Sequence, residues 1–313
     1  MTQEMNRREF VKKSVVASAA GTLALNVSGS QAYAQGEQKK PLEQKNTIPF
    51  GKIGEMKVSR LILGGNLLTH YTHSRDLKYV YSLTAHYNTE AKILETLALA
   101  EAHGINTLSM HNPPGPMNIL KRYRREGGKI QWIICPTAEL DEKMEGYTKQ
   151  VKELVDEGCE AIYLWGVRGD QHVSKMDLVK KAVEIAKGMG VPSGVGCHNT
   201  QVVVECEKNK IPADFYIKTF HHHDYPSAKL NHDSMWCQNP EETAKVMSMV
   251  EKPWIAFKVM AAGAIPPKNA FKYAFENGAD HILAGMFDYE IAEDVETAKS
   301  VMADVKRSRP WRS

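Results

Sequence analysis

The 313-residue sequence lacks several patterns that would assign a chain quickly to a class. Its 40 Lys and Arg nearly balance its 37 Asp and Glu, so no excess of basic charge indicates a nucleic-acid groove. Beyond the amino-terminal segment, no apolar run approaches the ~20 residues that a membrane helix needs. The five cysteines contain no CxxC pair, which argues against a structural zinc site, and their odd number argues against a complete disulfide framework.

The amino terminus has the pattern of an exported protein. Residues 6–12 read Asn-Arg-Arg-Glu-Phe-Val-Lys, a twin-arginine export pattern, and the apolar segment 15–27 is too short to span a bilayer. Residues 32–34, Ala-Tyr-Ala, offer a small-residue cleavage site. We therefore predict a twin-arginine signal peptide over 1–34, a flexible leader over 35–48, and a periplasmic or otherwise exported protein whose partner in export is the twin-arginine machinery.

Short β-branched runs alternate with amphipathic helices through the rest of the chain. The pattern predicts eight strands: Arg60–Gly64, Asn106–Met110, Trp132–Cys135, Ala161–Trp165, Ser193–Cys197, Phe215–Phe220, Trp254–Val259 and His281–Ala284. Capping residues predict helix starts at Asn88, Ser174 and Asn239. The alternation favours an α/β fold over 49–313, a single (β/α)8 TIM barrel with its active site at the carboxyl ends of the strands. A doubly wound open sheet is the alternative, although Gly64-Gly65-Asn66 is a poor match to its usual phosphate turn.

The predicted sixth strand contains a lysine and ends in a run of three histidines. Lys218 has apolar neighbours on both sides, and residues 221–223 are all His. A buried ammonium is costly unless it is paired, deprotonated or used chemically, and clustered histidines suit proton transfer or metal binding. The alternative is a solvated lysine beside a surface run of histidines.

A second lysine, Lys258, lies in an apolar run on the predicted seventh strand. If both lysines line the barrel, each lowers the pKa of the other, and one of them can then act as a nucleophile or base toward a carbonyl group. We expect Lys218 to be the reactive amine and Lys258 to be its charged neighbour. The alternative is that one lysine points to solvent or pairs with a carboxylate.

Other strand ends are rich in polar and aromatic side chains. His111 is a further catalytic candidate. The candidate ligands of a zinc-like divalent metal are Cys197, His198, His221 and His222. We expect His111, His198 and one of the tandem histidines to converge at the barrel mouth, and His223 to point outward because strand residues alternate. The candidate substrate contacts are Asn66, Asn112, Trp165, Asn199 and Tyr225.

Two long loops, 66–88 and 224–239, are rich in aromatic residues. Loops over a barrel mouth commonly bind ligands, and aromatic rings stack well on sugar-like molecules. These loops are therefore candidate lids, and the alternative is that they form a dimer surface. The pattern leaves the oligomeric state open.

The residues from Phe50 to Gly65 resemble the opening hairpin and first barrel strand of aldo-keto reductases. Gly104-Ile105-Asn106-Thr107 resembles their second strand, and 194–199 their fifth, while 285–295 resembles their last strand and following helix. The resemblance covers nearly the whole chain after the signal segment. It implies the same barrel and, for the reaction, an NADP-dependent reduction of a carbonyl group.

The residues that this family uses for hydride transfer differ here. Residues 109–112 replace its Asp and Tyr, Cys135 stands near the position of its Lys, and Trp165 stands at the position of its His. Residues 287–290, Phe-Asp-Tyr-Glu, occupy the region of its basic cluster for the NADPH phosphate. The resemblance therefore implies the fold more strongly than the reaction.

Two short segments resemble deoxyribose-phosphate aldolases. Ile217-Lys218-Thr219 and 257–265 are similar to their sixth and seventh strands, and the resemblance implies a Schiff base on Lys218. We therefore predict an exported enzyme acting on a carbonyl-containing, sugar-like small molecule by lysine and histidine acid–base or metal-assisted chemistry, as a lyase, aldolase or isomerase. The alternatives are an NADP-dependent aldo-keto reductase with a rearranged tetrad, in which His111 and Lys258 polarise the carbonyl, and a non-catalytic binding protein on the same scaffold.

Overall fold

The computed structural model describes residues 48–230 and 232–313, and its centre is a closed barrel of eight parallel strands. An antiparallel hairpin, β1 (Phe50–Ile53) and β2 (Met56–Ser59), precedes the barrel. The barrel strands follow in chain order: β3 (Leu61–Gly64), β4 (Thr107–His111), β5 (Gln131–Cys135), β6 (Ala161–Leu164), β7 (Ser193–Cys197), β8 (Phe215–Thr219), β9 (Trp254–Phe257) and β10 (His281–Ala284). Each strand pairs with its neighbours in the chain, and β10 closes the barrel on β3 with Ile282 opposite Leu61.

Helices connect successive strands on the outside of the barrel. They are α1 (Tyr79–Tyr87), α2 (Glu90–Ala102), α3 (Pro114–Arg125), α4 (Glu145–Asp156), α5 (Gly166–Gln171), α6 (Met176–Gly188), α7 (Thr200–Lys208), α8 (Pro240–Met249), α9 (Pro267–Glu276) and α10 (Ile291–Asp304). Among the described residues, none of the helices combines the length and the apolar character that crossing a membrane requires.

The predicted (β/α)8 barrel is confirmed, and all eight predicted strands are present with ends that differ by at most two residues. The seventh ends early because Lys258 has a φ of 56°, which is outside the range of a strand. Of the predicted helix starts, Asn239 caps α8 by accepting a hydrogen bond from the Glu242 N–H at 3.0 Å. The prediction at Ser174 is wrong, since Lys175 precedes α6 without a side-chain cap, and Thr89 rather than Asn88 caps α2.

Alternation along each strand divides its side chains between the barrel interior and the layer beneath the helices. The interior is filled by Ile62, Ile133, Cys135, Ala161, Tyr163, Phe215, Ile217, Ile255 and Leu283. Gly194 on β7 is required at its interior position because a Cβ there would overlap the Phe215 ring. The opposite faces of the strands pack against the helices in the larger hydrophobic core.

The amino-terminal end of the barrel, here called the barrel floor, holds an ionic network around Asp280. Its carboxylate accepts hydrogen bonds from Arg309 Nη1 at 2.6 Å and from the backbone N–H groups of Trp254 and Arg312 at 2.9 and 2.8 Å. Arg60 Nη1 donates to the Asp280 carbonyl oxygen at 3.0 Å. The side chains of Asp280 and Arg309 have no exposed surface. The buried charges of the floor are thus paired and hydrogen-bonded, as a stable buried ion pair requires.

The predicted signal peptide and nearly all of the predicted leader fall within 1–47, outside the described residues. The predictions of export and of periplasmic location therefore stay predictions.

Candidate active site

A cavity opens at the carboxyl ends of the strands, and we call it the mouth cavity. The side chains that give it chemical character are His73, His111, Trp165, His198, Trp236 and Lys258. They come from strand ends and from both long loops that the sequence marked as candidate lids. Carboxyl ends of strands are where barrel enzymes carry their active sites.

Lys258 reaches the mouth cavity through its backbone conformation. Ile255 and Phe257 of β9 point into the barrel, so alternation alone would turn the next side chain outward. The φ of 56° at Lys258 is in the left-handed region, and the side chain lines the mouth instead. A non-glycine residue held there costs on the order of 1–3 kcal/mol, and such strain is concentrated at functional sites.

The Lys258 amine is hydrogen-bonded to a histidine that is itself bound to a carboxylate. Lys258 Nζ contacts His73 Nε2, and His73 Nδ1 lies 2.9 Å from Asp233 Oδ1. With a neutral imidazole, the Nδ1–H donates to Asp233 and Nε2 accepts from Lys258. We call this chain the Asp233–His73–Lys258 relay, and it can carry a proton between the amine and the imidazole.

Burial lowers the pKa of Lys258 to about 7, against the opposing influence of Asp233. The Lys258 ammonium would also be favoured by the Trp236 ring face, since Nζ lies 3.9 Å from the ring centroid. Burial and the Lys258 charge lower the pKa of His73, so its imidazole is neutral near pH 7. A substantial fraction of Lys258 is therefore a neutral amine at neutral pH, the form that attacks a carbonyl carbon.

A second histidine–carboxylate pair lies across the cavity. His198 Nδ1 is 2.7 Å from Asp170 Oδ2, and Asp170 also accepts the backbone N–H of His198 at 2.9 Å. The Trp236 ring lies between the two pairs, with centroid distances of 4.9 Å to His73 and 5.0 Å to His198. Two oriented imidazoles thus flank one aromatic face.

His111 also lines the cavity, as the third imidazole of the mouth. Burial lowers its pKa, and its ring lies 5.4 Å from that of Tyr71. Within 48–230 and 232–313 its side chain makes no hydrogen bond, so both nitrogens are open to a ligand.

Lys218 is not in this cavity, which corrects the expectation that both lysines line the barrel. It follows Ile217, which points inward, and its side chain is fully buried on the other face of β8. Its Nζ donates to the carbonyl oxygen and to Oγ1 of Thr219, at 2.8 and 3.1 Å. The lysine at the mouth is Lys258.

The run of histidines also differs from the expected convergence. His221 Nε2 accepts the backbone N–H groups of Trp236 and Cys237 at 3.1 and 2.9 Å, so it fixes the loop that carries Trp236. His222 packs edge-on against Tyr273, with ring centroids 5.1 Å apart. His223 is exposed, as expected. Neither His221 nor His222 lines the mouth cavity.

The predicted metal ligands are therefore dispersed. His221 uses both ring nitrogens within the protein, since Nδ1 lies 3.1 Å from the His222 carbonyl oxygen. Cys197 is buried, and burial raises the pKa of its thiol. Over the described ranges, no three His, Cys, Asp or Glu side chains are grouped so that they could hold a metal ion. The donor set does not fit the predicted zinc-like site.

The predicted substrate contacts are divided in the same way. Asn66 and Trp165 line the mouth cavity. Asn112 instead accepts the Thr137 backbone N–H at 3.1 Å, and Asn199 caps α7. Tyr225 is buried, with its ring 6.2 Å from that of His221.

A second cavity of about 440 Å³, which we call the side cleft, joins the mouth cavity at His73, Trp236 and Lys258. Its walls are the ends of β3 and β10, the segment 258–267 and the start of α10. Its volume is within the range of small-molecule sites. Lys258 thus lines both cavities.

The relay and the second pair were missed by sequence reasoning, although the loops that supply His73 and Asp233 were marked as lids. His73 is 160 residues from Asp233 and 185 from Lys258, so no local spacing links them. The only local signal was a lysine within an apolar strand.

Two solved structures from Pseudomonas aeruginosa resemble this one. Each is a candidate aldo-keto reductase with 16% sequence identity to this chain. The first has a TM-score of 0.59 and covers 81% of this chain and 94% of its own. The second has a TM-score of 0.57 and covers 85% of this chain and 100% of its own. The barrel is therefore aldo-keto-reductase-like, and at this identity the likeness concerns the fold alone.

No protein-family model matches the sequence, and no curated protein matches it. Two positions aligned above with family catalytic residues, Cys135 and Trp165, do line the mouth cavity. Burial raises the pKa of Cys135 to about 12, so this position carries a neutral thiol where the family has a lysine.

Proposed function

We propose that this chain is an enzyme that acts on a carbonyl-containing, sugar-like small molecule with Lys258 as its reactive amine. The observation that supports this most directly is the relay, in which a lysine of pKa about 7 contacts the free nitrogen of a carboxylate-bound imidazole. An amine neutral near pH 7 with a proton acceptor in contact is what Schiff-base chemistry needs.

The first step is attack by Lys258. Its lone pair forms a C–N bond to the carbonyl carbon, and the carbonyl π electrons move to the oxygen. The attacking nitrogen becomes positively charged and passes one proton to His73 Nε2, where Asp233 stabilises the imidazolium. The imidazolium then returns this proton to the oxygen. This gives a neutral carbinolamine.

The second step is loss of water. His198, oriented by Asp170, donates a proton to the carbinolamine hydroxyl, which leaves as water as the nitrogen lone pair forms the C=N bond. The protonated Schiff base withdraws electrons from a neighbouring C–C or C–H bond. Either an aldol cleavage or an isomerisation can follow, and the rings of Trp165 and Trp236 suit stacking on a sugar-like substrate.

Borohydride trapping tests the proposal. The protein is incubated with a panel of keto and aldehyde sugars, reduced with borohydride and mapped by mass spectrometry, for wild type, Lys258→Met and Lys218→Met. We expect an adduct on Lys258 that disappears in Lys258→Met and persists in Lys218→Met, the matched control with a lysine on the outer face of the barrel. No adduct at Lys258, together with tight NADPH binding, would favour the reductase. No adduct and no turnover would favour a binding protein.

We also propose that the protein is exported by the twin-arginine route, on the pattern at residues 6–12. Changing Arg7 and Arg8 to Lys is expected to retain the precursor in the cytoplasm. Cell fractionation that finds the variant in the periplasm at the wild-type level would contradict export by this route.

A further inference from the structure

Three residues that line the side cleft each have a buried polar atom without a hydrogen-bond partner in the described part of the chain. These atoms are Thr72 Oγ1, Ser109 Oγ and Trp236 Nε1. Buried polar groups in proteins are nearly always hydrogen-bonded, and an unpaired one costs about 1–3 kcal/mol. Three such groups around one cavity are hydrogen-bonding capacity that the protein itself does not use, and this supports a ligand site there.

Asp294 adds a carboxyl group to the same cleft. Its side chain is on the first turns of α10, is only 5% exposed and has no ion pair or hydrogen bond to another residue of 48–230 or 232–313. Burial raises its pKa to about 7, and the nearby Glu290 and Glu293 act in the same direction. Whether protonated or ionised, this group can form a hydrogen bond with a ligand hydroxyl.

The cleft is poorly suited to a phosphate. Lys258 is its only Lys or Arg lining residue among those described, and Glu290 and Asp294 add negative potential. The start of α9 compensates little, since Pro266 and Pro267 lack two of the backbone N–H groups that bind anions at helix starts. The donor set therefore does not fit the pyrophosphate of a nicotinamide dinucleotide.

The remaining walls are largely apolar, including Val259, Ile265, Leu283 and Phe287. We infer that the side cleft binds the uncharged, hydroxyl-bearing part of the substrate, so that the substrates are unphosphorylated sugars or sugar derivatives with a carbonyl group. This inference rests on the proposed function, because it takes the cleft and the Lys258 amine as two parts of one site. Hydroxyls would pair with Asp294, Thr72 and Trp236, and the carbon face would pack on the apolar wall.

The test compares matched ligands that differ by one phosphate. Saturation-transfer NMR titrations with D-fructose, D-glucose, their 6-phosphates and NADPH give dissociation constants for wild type, Asp294→Asn and Asp288→Asn. We expect at least one free sugar to bind about tenfold more tightly than its phosphate, and Asp294→Asn to weaken that binding about tenfold. Asp288 is the control, since its carboxylate is paired with Lys92 at 2.8 Å and is not a cleft residue.

A purely structural Asp294 would give a different result. Since this carboxyl group has no partner among residues 48–230 and 232–313, Asp294→Asn is expected to keep or raise the melting temperature while it loses sugar binding. A lower melting temperature with unchanged binding would overturn the inference, and so would equal or tighter binding of the phosphates or NADPH, or no binding of either free sugar. Binding that depends on Asp294 without a Lys258 adduct would refute the proposed function alone. An adduct with binding indifferent to Asp294 would refute only the cleft assignment.

Discussion

At the barrel floor, Asp280 and Arg309 are fully buried and paired at 2.6 Å, and backbone N–H groups complete the shell around the carboxylate. At the mouth, Lys258 has a strained backbone conformation and its amine contacts an imidazole. In the adjoining side cleft, the buried Asp294 carboxyl group has no partner in the described part of the chain. At the floor, hydrogen bonds from the protein replace the water that the buried charges lose on folding. Lys258 and Asp294 also lose water on burial, but fewer hydrogen bonds from the protein replace it. We therefore expect the floor to maintain the fold and the mouth to bind a ligand.

The largest expected effect is a loss of activity without a loss of stability at the mouth. Lys258→Met is expected to reduce turnover of any sugar that forms the adduct by about 10⁴-fold, because the nucleophile is lost. Its free energy of unfolding at pH 7 should be unchanged or higher, since a buried amine is removed. Steady-state kinetics and urea unfolding measure the two quantities, with Lys218→Met as the control. A stable variant with turnover within tenfold of wild type would exclude the assigned role.

The floor should respond in the opposite way. Asp280→Ala leaves Arg309 buried without its carboxylate, and we expect the free energy of unfolding to fall by about 3–5 kcal/mol. Asp156→Ala, which removes an exposed pair with Lys152, should cost less than about 1 kcal/mol. Urea unfolding compares the two. If Asp280→Ala lowers the free energy of unfolding as little as Asp156→Ala does, the buried ion pair of the floor does not stabilise the fold.

The mouth should also make stability depend on pH. Folding lowers the pKa of Lys258 to about 7 from an unfolded value of about 10.4, so between these values the unfolded chain binds more protons. Stability of the wild type relative to Lys258→Met should therefore rise from about pH 7 to about pH 10, by about 3–4 kcal/mol, and be constant below about pH 7. If the free energies of unfolding of the two proteins depend on pH in the same way, the pKa of the Lys258 amine is not lowered by folding. Turnover should rise through pH 7 as the amine loses its proton.

The smallest expected effect concerns backbone strain beside the site. Ala262 has a φ of 54°, a conformation that favours glycine. Ala262→Gly is expected to stabilise the protein by about 0.5–1 kcal/mol, whereas Ala98→Gly on the exposed face of α2 should destabilise it by about 1 kcal/mol. Thermal unfolding of the two variants provides the comparison, and a loss of stability in both would argue against strain at 262.

The fold was accessible from the sequence because strand and helix periods are local. Eight apolar runs such as Ser193–Cys197 predicted the barrel strands nearly to the residue. The site was accessible only in part. Strand alternation predicts the same orientation for the side chains of Lys218 and Lys258. Only Lys258 turns toward the mouth, because of one φ angle that the sequence pattern does not reveal. His221 was conspicuous in sequence, yet its ring binds backbone N–H groups 15 and 16 residues away, a contact that only tertiary structure produces.

Closure of the barrel has a consequence for the order of folding. Arg60 and Asp280 meet across 220 residues, and β10 pairs with β3 only when the last strand is in position. Contacts of such sequence separation form late, since a long loop must be closed before they contribute. We therefore expect Lys258 to be exposed to water in a growing or partly folded chain, and its amine to have an ordinary pKa. Its reactivity toward carbonyl compounds would then begin only with the completed ring of strands, so an incomplete molecule would be spared adducts that the finished one can form and release.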